Sequence, residues 1–293
     1  MRTTFDGASS GWASDGGERM DAEKVRIPEE RKSYLSTIYG KALDARAEHP
    51  ILGDTFADEA VRRIDFDFEK LAVGGDAAIT LPWRAKLLDD WVREFLDANP
   101  SATVLHLGCG LDTRVFRIDP PGTVRWYDVD LPDAIELREH LFPKRTGYEM
   151  IATSVADLRW LDAVPGDLPV LVVAEGLVQY LPVPDRTALF NRVVHQFPSG
   201  EVIFDAYSRM TLSALSLALK LQRTGLKLHG GMQDGREIEE QVPRLRLVDA
   251  VSFLTYPEMV RSLLHTKFQA WLYPHMERWG WYRKAMQHFR YEF

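Results

Sequence analysis

Two glycines in the stretch TVLHLGCGLDTR follow directly on a short apolar run. Gly108 and Gly110, with Cys109 between them, would let the backbone pass close beneath a ligand that side chains would exclude. Twenty residues past Gly110 a second run ends in YDVD, which puts Asp128 and Asp130 where a carboxylate can accept hydrogen bonds from two ribose hydroxyls. This pairing of a glycine turn with an acid predicts a site for an adenosine cofactor.

The residues after the glycines favour a cofactor without phosphates. An NAD site usually shows G-x-G-x-x-G/A and holds a pyrophosphate at the helix start. Here the third position is Thr113, and Asp112 lies where a pyrophosphate would be repelled. S-adenosylmethionine (SAM), which has no phosphate, therefore fits better. Cys109 is the only cysteine, which excludes an intrachain disulfide and a cysteine metal cluster. We predict that it is a small residue that fits the turn, and we predict no metal site.

Two further acids follow apolar runs. In VADLRW, Asp157 could accept from an adenine amino group while the amide of Leu158 serves a ring nitrogen. The alternative is a loop aspartate that caps the next turn. In VVAEGLVQYLP, Glu175 directly follows the apolar run. Because a buried carboxylate without a partner is costly, Glu175 is predicted to meet a cation or hydroxyl donors, and the ammonium of SAM is one such cation.

Parallel strands would bring these positions to one sheet edge. Short β-rich runs alternate with helical stretches at about 132–142 and 184–197. The runs cover 102–107, 123–129, 148–153, 167–175 and 200–207. This alternation predicts an α/β fold in which helices cover both faces of a mostly parallel sheet, and one or two more strands around 244–255 complete seven strands.

Helical periodicity marks the part of the chain before the sheet. Apolar spacing predicts one helix over 29–47, and Asp54 or Thr55 could cap a second. A third is predicted to start at Pro82 and to run to about residue 98. Arg84 would then point from its first turn toward the buried side, where an arginine needs a partner.

Composition limits the partners. The formal net charge of −7, with both signs well mixed, argues against a nucleic acid or an anionic membrane as the main partner. No apolar run approaches the ~20 residues needed to cross a bilayer, and the first residues lack the apolar core of a signal peptide. We therefore predict a cytoplasmic protein, and the sequence leaves a small or local partner and a homo-oligomer open.

Several segments in this order and spacing resemble the leucine carboxyl methyltransferase family, and its bacterial branch of polyketide O-methyltransferases more closely. They are PWRAKLLDDWVREFL, HLGCGLDTR, YDVDLPDAIELR, VADLRW and AEGLVQYLP. The resemblance runs from about Ile27 to Tyr207. It implies a Rossmann-like class I SAM-dependent methyltransferase, with S-adenosylhomocysteine as the product of the cofactor.

The resemblance also implies roles for individual residues. Lys41, with Lys32 behind it, and Arg84 would bind the carboxylate of SAM, and Tyr180 would lie close to the transferred methyl. Gly108 and Gly110 would pass beneath the methionine part. The other residues that the resemblance places at the cofactor are Cys109, Asp130 and Leu131 near the ribose, Asp157 and Leu158 at the adenine, and Glu175 with Gly176 at the amino group.

The chain divides into a tail and one domain on this interpretation. Residues 1–24, rich in Gly, Ser and Asp, are predicted to be a disordered tail. The methyltransferase domain spans 25–293, with an N-terminal helical cap at 25–98, a SAM-binding core at 99–208, and a lid with the last strands at 209–293. The third part is predicted to contain helices at 209–228 and 257–265. Its Trp and Tyr residues could form a substrate wall, but such residues more often fill a core or an interface.

Methyl transfer from a sulfonium is an in-line displacement that excludes water. An acceptor carboxylate, with a pKa near ~4, needs no base, whereas a phenol, with a pKa near ~10, needs a base or a neighbouring cation.

His106 is predicted to be a core residue whose hydrogen bonds are satisfied, and His195 to be solvated. The histidines of the C-terminal third that could face an acceptor are His229, His265, His275 and His288. None has a recognisable partner, which favours carboxyl methylation with Arg84 or Tyr180 steering the acceptor.

Other functions stay open at this point. A dehydrogenase would use the same glycine turn for NAD. A nucleic-acid methyltransferase would ordinarily carry a basic groove and a D/N-P-P-Y/F motif after the fourth strand, where this chain has A-E-G-L. A phenol or hydroxyl methyltransferase, a SAM-binding protein without activity and a structural partner protein also remain. Methylation of a protein C-terminus ranks below a small-molecule acceptor because the nearer resemblance is bacterial and biosynthetic.

Overall fold

The computed structural model describes residues 32–71, 73–221, 227–264 and 267–293. The predicted tail at 1–24, His265 and the side chain of Lys32 lie outside the described residues. Among the described helices, none combines the length and the apolar character that a bilayer crossing requires.

Seven strands form one sheet in the order β3-β2-β1-β4-β5-β7-β6. The strands are β1 Thr103–Leu107, β2 Arg125–Asp130, β3 Tyr148–Ala152, β4 Val170–Ala174, β5 Gly200–Tyr207, β6 Arg246–Ser252 and β7 Met286–Glu292. The first five run parallel, and β7 pairs antiparallel with both β5 and β6. The predicted class, a mostly parallel seven-stranded sheet, is confirmed.

Helices cover both faces of this sheet. They are α1 Lys32–Ala45, α2 Thr55–Arg63, α3 Asp76–Ala98, α4 Arg114–Ile118, α5 Pro132–Leu141, α6 Val183–Gln196, α7 Arg209–Leu221, α8 Arg236–Gln241, α9 Pro257–Leu263, α10 Lys267–Met276 and α11 Gly280–Arg283. Successive side chains of a strand point to opposite faces. In β4, Val170 and Val172 therefore join the core beneath α6, whereas Leu171 and Val173 join the core beneath α1 and α3.

The N-terminal helices agree with the sequence except at one start. Asp54 caps α2 by accepting a hydrogen bond from the Ala57 amide at 3.0 Å. The predicted start of the third helix at Pro82 is wrong, because α3 begins at Asp76 and Pro82 lies inside it. Pro82 is itself buried, as are Trp83 and most apolar residues that follow. Tertiary packing thus stabilises a helix whose interior proline costs ~3 kcal/mol in propensity.

The C-terminal third departs most from the sequence prediction. Only one strand, β6, lies in the predicted region around 244–255, and the seventh strand is instead β7. Two short helices, α10 and α11, occupy the aromatic-rich segment. The large side chains Trp271, Trp279 and Trp281 are 60%, 46% and 51% exposed, so they neither fill a core nor line the cavity described next.

Candidate active site

A cavity of about 510 Å³ lies where the parallel strands β1, β2 and β4 end, beneath α1. In sheets of this type ligands bind outside the carboxyl ends of the strands. The structure brings most of the predicted site residues together along its wall. These are Lys41, Arg84, Gly108, Cys109, Gly110, Asp130, Leu131, Glu175, Gly176 and Tyr180. Asp157 and Leu158 are not among the lining residues.

The glycine turn needs its glycines for two physical reasons. Gly108 and Gly110 have φ of 61° and 49°, in the left-handed region that side chains disfavour. A Cβ on Gly108 would also lie 2.8 Å from Leu177 Cδ1. Cys109 between them is buried, and burial raises the pKa of its thiol well above the usual range. The thiol is therefore neutral, in agreement with a small residue that fits the turn.

Asp130 ties the end of β2 to this turn. Its Oδ2 accepts from the Gly110 amide at 2.6 Å and its Oδ1 from the Leu131 amide at 2.7 Å. Burial raises the pKa of the Asp130 carboxyl, and the two amide hydrogen bonds act in the opposite direction. The first acid of YDVD behaves differently, because Asp128 is fully buried and binds Arg138 away from the cavity. Of these two acids, Asp130 lines the cavity and Asp128 does not.

Buried ions surround one end of the cavity. We call this the ion-pair cluster, and its members are Lys41, Asp89, Asp112, Arg114, Arg117 and Glu175. Arg114 is its centre, since Nε donates to Asp89 Oδ1 at 2.6 Å and Nη2 to Glu175 Oε2 at 2.5 Å. Lys41 Nζ lies 3.7 Å from Glu175 Oε1. The predicted cation partner of Glu175 is thus confirmed, and the chain itself supplies it.

The charges of the ion-pair cluster keep its carboxylates ionised. Burial raises the pKa of the Glu175 carboxyl, but Lys41 and Arg114 outweigh burial and hold it below its usual range. Asp112 is likewise held well below its usual pKa by Arg117 and Lys41, with Lys41 Nζ 3.0 Å from its Oδ2. Because two cations neutralise Asp112, the repulsion of a pyrophosphate is weaker than the sequence alone suggests.

Arg84 enters the cavity from α3 and has the partner that its position requires. Its Nη2 donates to Asp205 Oδ1 at 3.1 Å, and the Gly176 amide donates to the same oxygen at 2.6 Å. A Cβ on Gly176 would collide with Nη2 of Arg84, which explains the glycine there. Arg84 Nε lies 3.9 Å from Glu175 Oε1 and has no hydrogen-bond partner among the described residues.

Two tyrosines line the same end of the cavity as Arg84. Tyr180 follows β4 in the turn before α6, and Tyr207 ends β5. Burial raises the pKa of both phenols, with Arg84 acting in the opposite direction. Both hydroxyls therefore stay protonated near neutral pH and can donate a hydrogen bond.

His106 is the core residue that the sequence predicts. It is 1% exposed, with Nδ1 2.9 Å from Asp128 Oδ1 and Nε2 3.1 Å from Arg114 Nη1. Since the guanidinium can only donate, Nε2 accepts and Nδ1 donates. Neither nitrogen is left for proton transfer.

The remaining described histidines lie away from the cavity wall. His195 is exposed, as predicted, and binds the carbonyl of Asn191. His229 and His275 are also exposed. His288 is fully buried against Phe253, and burial lowers its pKa to about 4.

Asp157 occupies the position of a turn cap. It accepts from the Arg159 amide at 3.3 Å and pairs with the Arg159 guanidinium, which lowers its pKa to about 2. The residues just before it, Thr153, Ser154 and Val155, line the cavity instead. The structure thus places Asp157 in the capping arrangement that the sequence offered as the alternative.

Sequence reasoning missed four charged residues of the site, namely Asp89, Arg114, Arg117 and Asp205. A signal existed for two of them. Asp89 interrupts the apolar stripe of α3, and Asp205 interrupts the apolar run of β5, much as Glu175 follows that of β4. For Arg114 and Arg117 on α4, local sequence gives no sign of burial.

The sheet order and a cofactor-sized cavity at the strand ends define a class I methyltransferase fold. A solved structure assigned as a methyltransferase from Thermobifida fusca YX has a TM-score of 0.53 at 18% identity, covering 96% of this chain and 98% of that chain. At this identity the likeness shows the fold.

Sequence comparison defines the family. The family model described as leucine carboxyl methyltransferase matches residues 35–194. The tetracenomycin polyketide synthesis O-methyltransferase TcmP of Streptomyces glaucescens is 43% identical over 235 residues, covering 80% of this chain and 87% of that protein. The S-adenosyl-L-methionine-dependent methyltransferase dpfgK of Gibberella zeae is 32% identical over 251 residues, covering 78% and 84%. The chain belongs to the leucine carboxyl methyltransferase family, and it is a SAM-dependent methyltransferase.

Proposed function

We propose that this methyltransferase transfers the methyl group of SAM to a carboxylate of a small, polyketide-like acceptor. One observation carries the proposal: among the described residues, the histidine and each carboxylate of the cavity wall already have a hydrogen-bond or ion-pair partner within the protein. These groups are His106, Asp112, Asp130 and Glu175. An acceptor that is ionised at neutral pH suits such a wall, because no proton has to be removed.

The acceptor chemistry follows from this. SAM supplies an electrophilic methyl on a sulfonium, and attack by a carboxylate oxygen forms an ester as the carbon–sulfur bond breaks. The unperturbed pKa of a carboxylic acid is ~4, so the nucleophile is present without catalysis by a base. The protein then has to align the reactants and exclude water. Arg84 and Tyr180 are proposed to hold the acceptor carboxylate, with Tyr207 as a further hydroxyl donor.

The cavity suits the amino-acid end of SAM. Lys41 Nζ and Arg84 Nε are buried and make no well-aligned hydrogen bond among the described residues, so both have donors for the SAM carboxylate. Glu175 is proposed to accept from the ammonium and Asp130 from the ribose hydroxyls. Gly108 and Gly110 are proposed to let the backbone pass beneath the methionine part.

The adenine contact requires a local change. Asp157 and Leu158 are proposed to bind the adenine amino group and a ring nitrogen, for which Asp157 has to exchange its contact with Arg159. Arg159→Ala would free the carboxylate and should preserve or raise affinity for S-adenosylhomocysteine, whereas Asp157→Ala should lower it.

The relatives support a small acceptor. One of them is a tetracenomycin polyketide synthesis O-methyltransferase, whose name specifies methylation of an oxygen atom. A net charge of −7 also fits a small organic acceptor better than a polyanionic one.

Calorimetry with S-adenosylhomocysteine tests the cofactor assignments. Arg84→Ala and Asp130→Ala should each greatly weaken binding, while Glu175→Gln should weaken it less because a hydrogen bond to the ammonium remains. The matched control is Arg192→Ala, because Arg192 pairs with Asp162 away from this cavity. Circular dichroism confirms that each variant is folded. Unchanged affinity in both Arg84→Ala and Asp130→Ala would refute the site.

An acceptor pair tests the reaction. Naphthoic acid and naphthol share one ring system and differ in the acceptor group, and formation of S-adenosylhomocysteine reports turnover of either. We expect an ester from the acid, at a rate that is flat between pH 6 and 9, and a roughly tenfold slower rate in Tyr180→Phe with unchanged cofactor affinity. Methylation of the phenol alone, at a rate that rises with pH, would instead assign a hydroxyl methyltransferase.

A further inference from the structure

A second cavity of about 550 Å³ lies between the first turn of α6, α7 and the loop that precedes α8. Val183 and Arg186 line it from α6, Arg209 and Leu212 from α7, and His229 from the loop. In the described part of the chain it has no lining residue in common with the cofactor cavity. The short segment after Tyr180 connects the two, since Leu181 lines the first cavity and Val183 the second.

Arg186 is an unusual residue in this cavity. It is 1% exposed, and its Nη2 donates to Gln241 Oε1 at 3.1 Å. Among the residues that the structure describes, its Nε and Nη1 have no hydrogen-bond partner. Within the described ranges no carboxylate makes an ion pair with it, and burial lowers the pKa of the guanidinium from its usual value.

Glu237 attracts Arg186 but makes no ion pair with it in the part of the chain that the structure describes. Glu237, a carboxylate of the same cavity, already accepts from Arg209 Nη2 at 2.6 Å and from the amides of Gln233 and Asp234 at 2.9 Å and 3.2 Å. Arg209 adds a second positive charge to the wall. The cavity also lies at the N-terminus of a 14-residue helix, where the helix dipole favours an anion.

A buried cation that the chain leaves unpaired is costly, and an anion from outside can remove that cost. We propose that this cavity is a second ligand site, separate from the cofactor site, which binds the oxyanion of a small molecule, a carboxylate or a phosphate, through the guanidinium of Arg186. The apolar side chains of Val183, Leu212 and Leu228 give the ligand an apolar body beside its anionic group.

Isothermal calorimetry and thermal unfolding test this site in the protein saturated with S-adenosylhomocysteine, so that the cofactor cavity is filled. The probes are inorganic phosphate, acetate and octanoate, at an ionic strength held constant with chloride. We expect binding and a rise in Tm for the wild-type protein, because a ligand that binds only the folded state stabilises it. Arg186→Met should weaken binding by roughly tenfold or more, since it removes the charged donors.

Two further variants make the test specific. Gln241→Glu keeps the shape of the side chain and replaces the amide that accepts from Arg186 with a carboxylate. Because this carboxylate would pair with Arg186, the variant should also abolish the response to the probes. This variant tests the proposal even where Arg186→Met folds poorly. Arg192 lies on the same helix as Arg186 and pairs with Asp162. The control variant Arg192→Met should therefore respond to the probes as the wild type does.

The outcomes separate the sources of the anion. Tighter binding of octanoate than of acetate supports a carboxylate ligand with an apolar body, and tightest binding of phosphate supports a phosphorylated ligand. The proposal is overturned if none of the probes binds the wild-type protein, or if Arg186→Met and Gln241→Glu bind them as the wild type does.

Discussion

Arg114 and Arg186 are both fully buried, but their surroundings differ. Arg114 donates to Asp89 and Glu175, so the chain supplies the opposite charges for this arginine. Within the described residues, the side chain of Arg186 hydrogen-bonds only to the neutral amide of Gln241, and it lines a cavity. The comparison separates two uses of a buried cation. The first organises the wall of the cofactor site, and the second leaves a positive charge for a molecule from outside.

The largest expected effect is that of Arg114→Met. Removal of the guanidinium leaves the buried carboxylate of Glu175 without its nearest cation and leaves Asp89 with Arg117 alone. Loss of one partner of a buried ion pair typically costs ~3–5 kcal/mol. Urea unfolding measures the free energy of unfolding of this variant beside Arg186→Met. Equal losses in the two variants would contradict the distinction between a paired and an unpaired arginine.

The next effect is a loss of stability in acid. Burial raises the pKa of the Asp128 carboxyl, but Arg138 and a hydrogen bond from His106 outweigh burial and lower it to about 2. An unfolded aspartate binds its proton near ~4, so the unfolded state takes up protons first as the pH falls. The ionised Asp128 therefore contributes about 2 kcal/mol to the free energy of unfolding. This contribution is complete above pH ~5 and is lost as the pH falls through about 2.

Urea unfolding at a series of pH values between 6 and 2 measures this dependence. Arg186→Met should show the same slope as the wild type, because Arg186 has no carboxylate partner in the described structure. A free energy of unfolding that stays constant between pH 5 and pH 3 would contradict the assigned pKa shifts of the buried carboxylates.

The smallest effect is that of Arg186→Met in a buffer that contains only chloride as anion. Replacement of an unpaired buried cation by an apolar side chain of similar size should leave stability unchanged or raise it by up to ~2 kcal/mol. Urea unfolding again gives the value, and Arg192→Met serves as the control on the same helix. A loss of more than ~2 kcal/mol would mean that Arg186 is stabilised in the protein by contacts other than an external anion.

The sequence was sufficient for the five parallel strands of the sheet and for most of the cavity wall. Strand β4 is apolar on both faces, which marks a central strand, and the glycine turn with Asp130 twenty residues later reflects a direct hydrogen bond between the two. Such signals are readable because the residues that interact follow a fixed spacing around one βαβ unit.

What could not be predicted depends on contacts between distant segments. Strand β7 pairs with β5, which lies some eighty residues earlier, and its own residues MQHFRYE carry no strong alternation. A charged residue on a short helix usually faces solvent, so Arg114 becomes recognisable only when α3 brings Asp89 against it. For Asp157, capping and adenine binding require the same residue at the same place, and the sequence could not separate them.

The position of β7 has a consequence for biosynthesis. This strand lies between β5 and β6, although it follows both in the chain. On the ribosome, β6 emerges before β7, the strand to which it hydrogen-bonds in the described structure, and the edge of β5 stays uncovered until residues 286–292 have been translated. An uncovered edge offers amides and carbonyls to any extended segment. Nascent chains are therefore most prone to aggregation in this late interval, when the cofactor side of the sheet is already present.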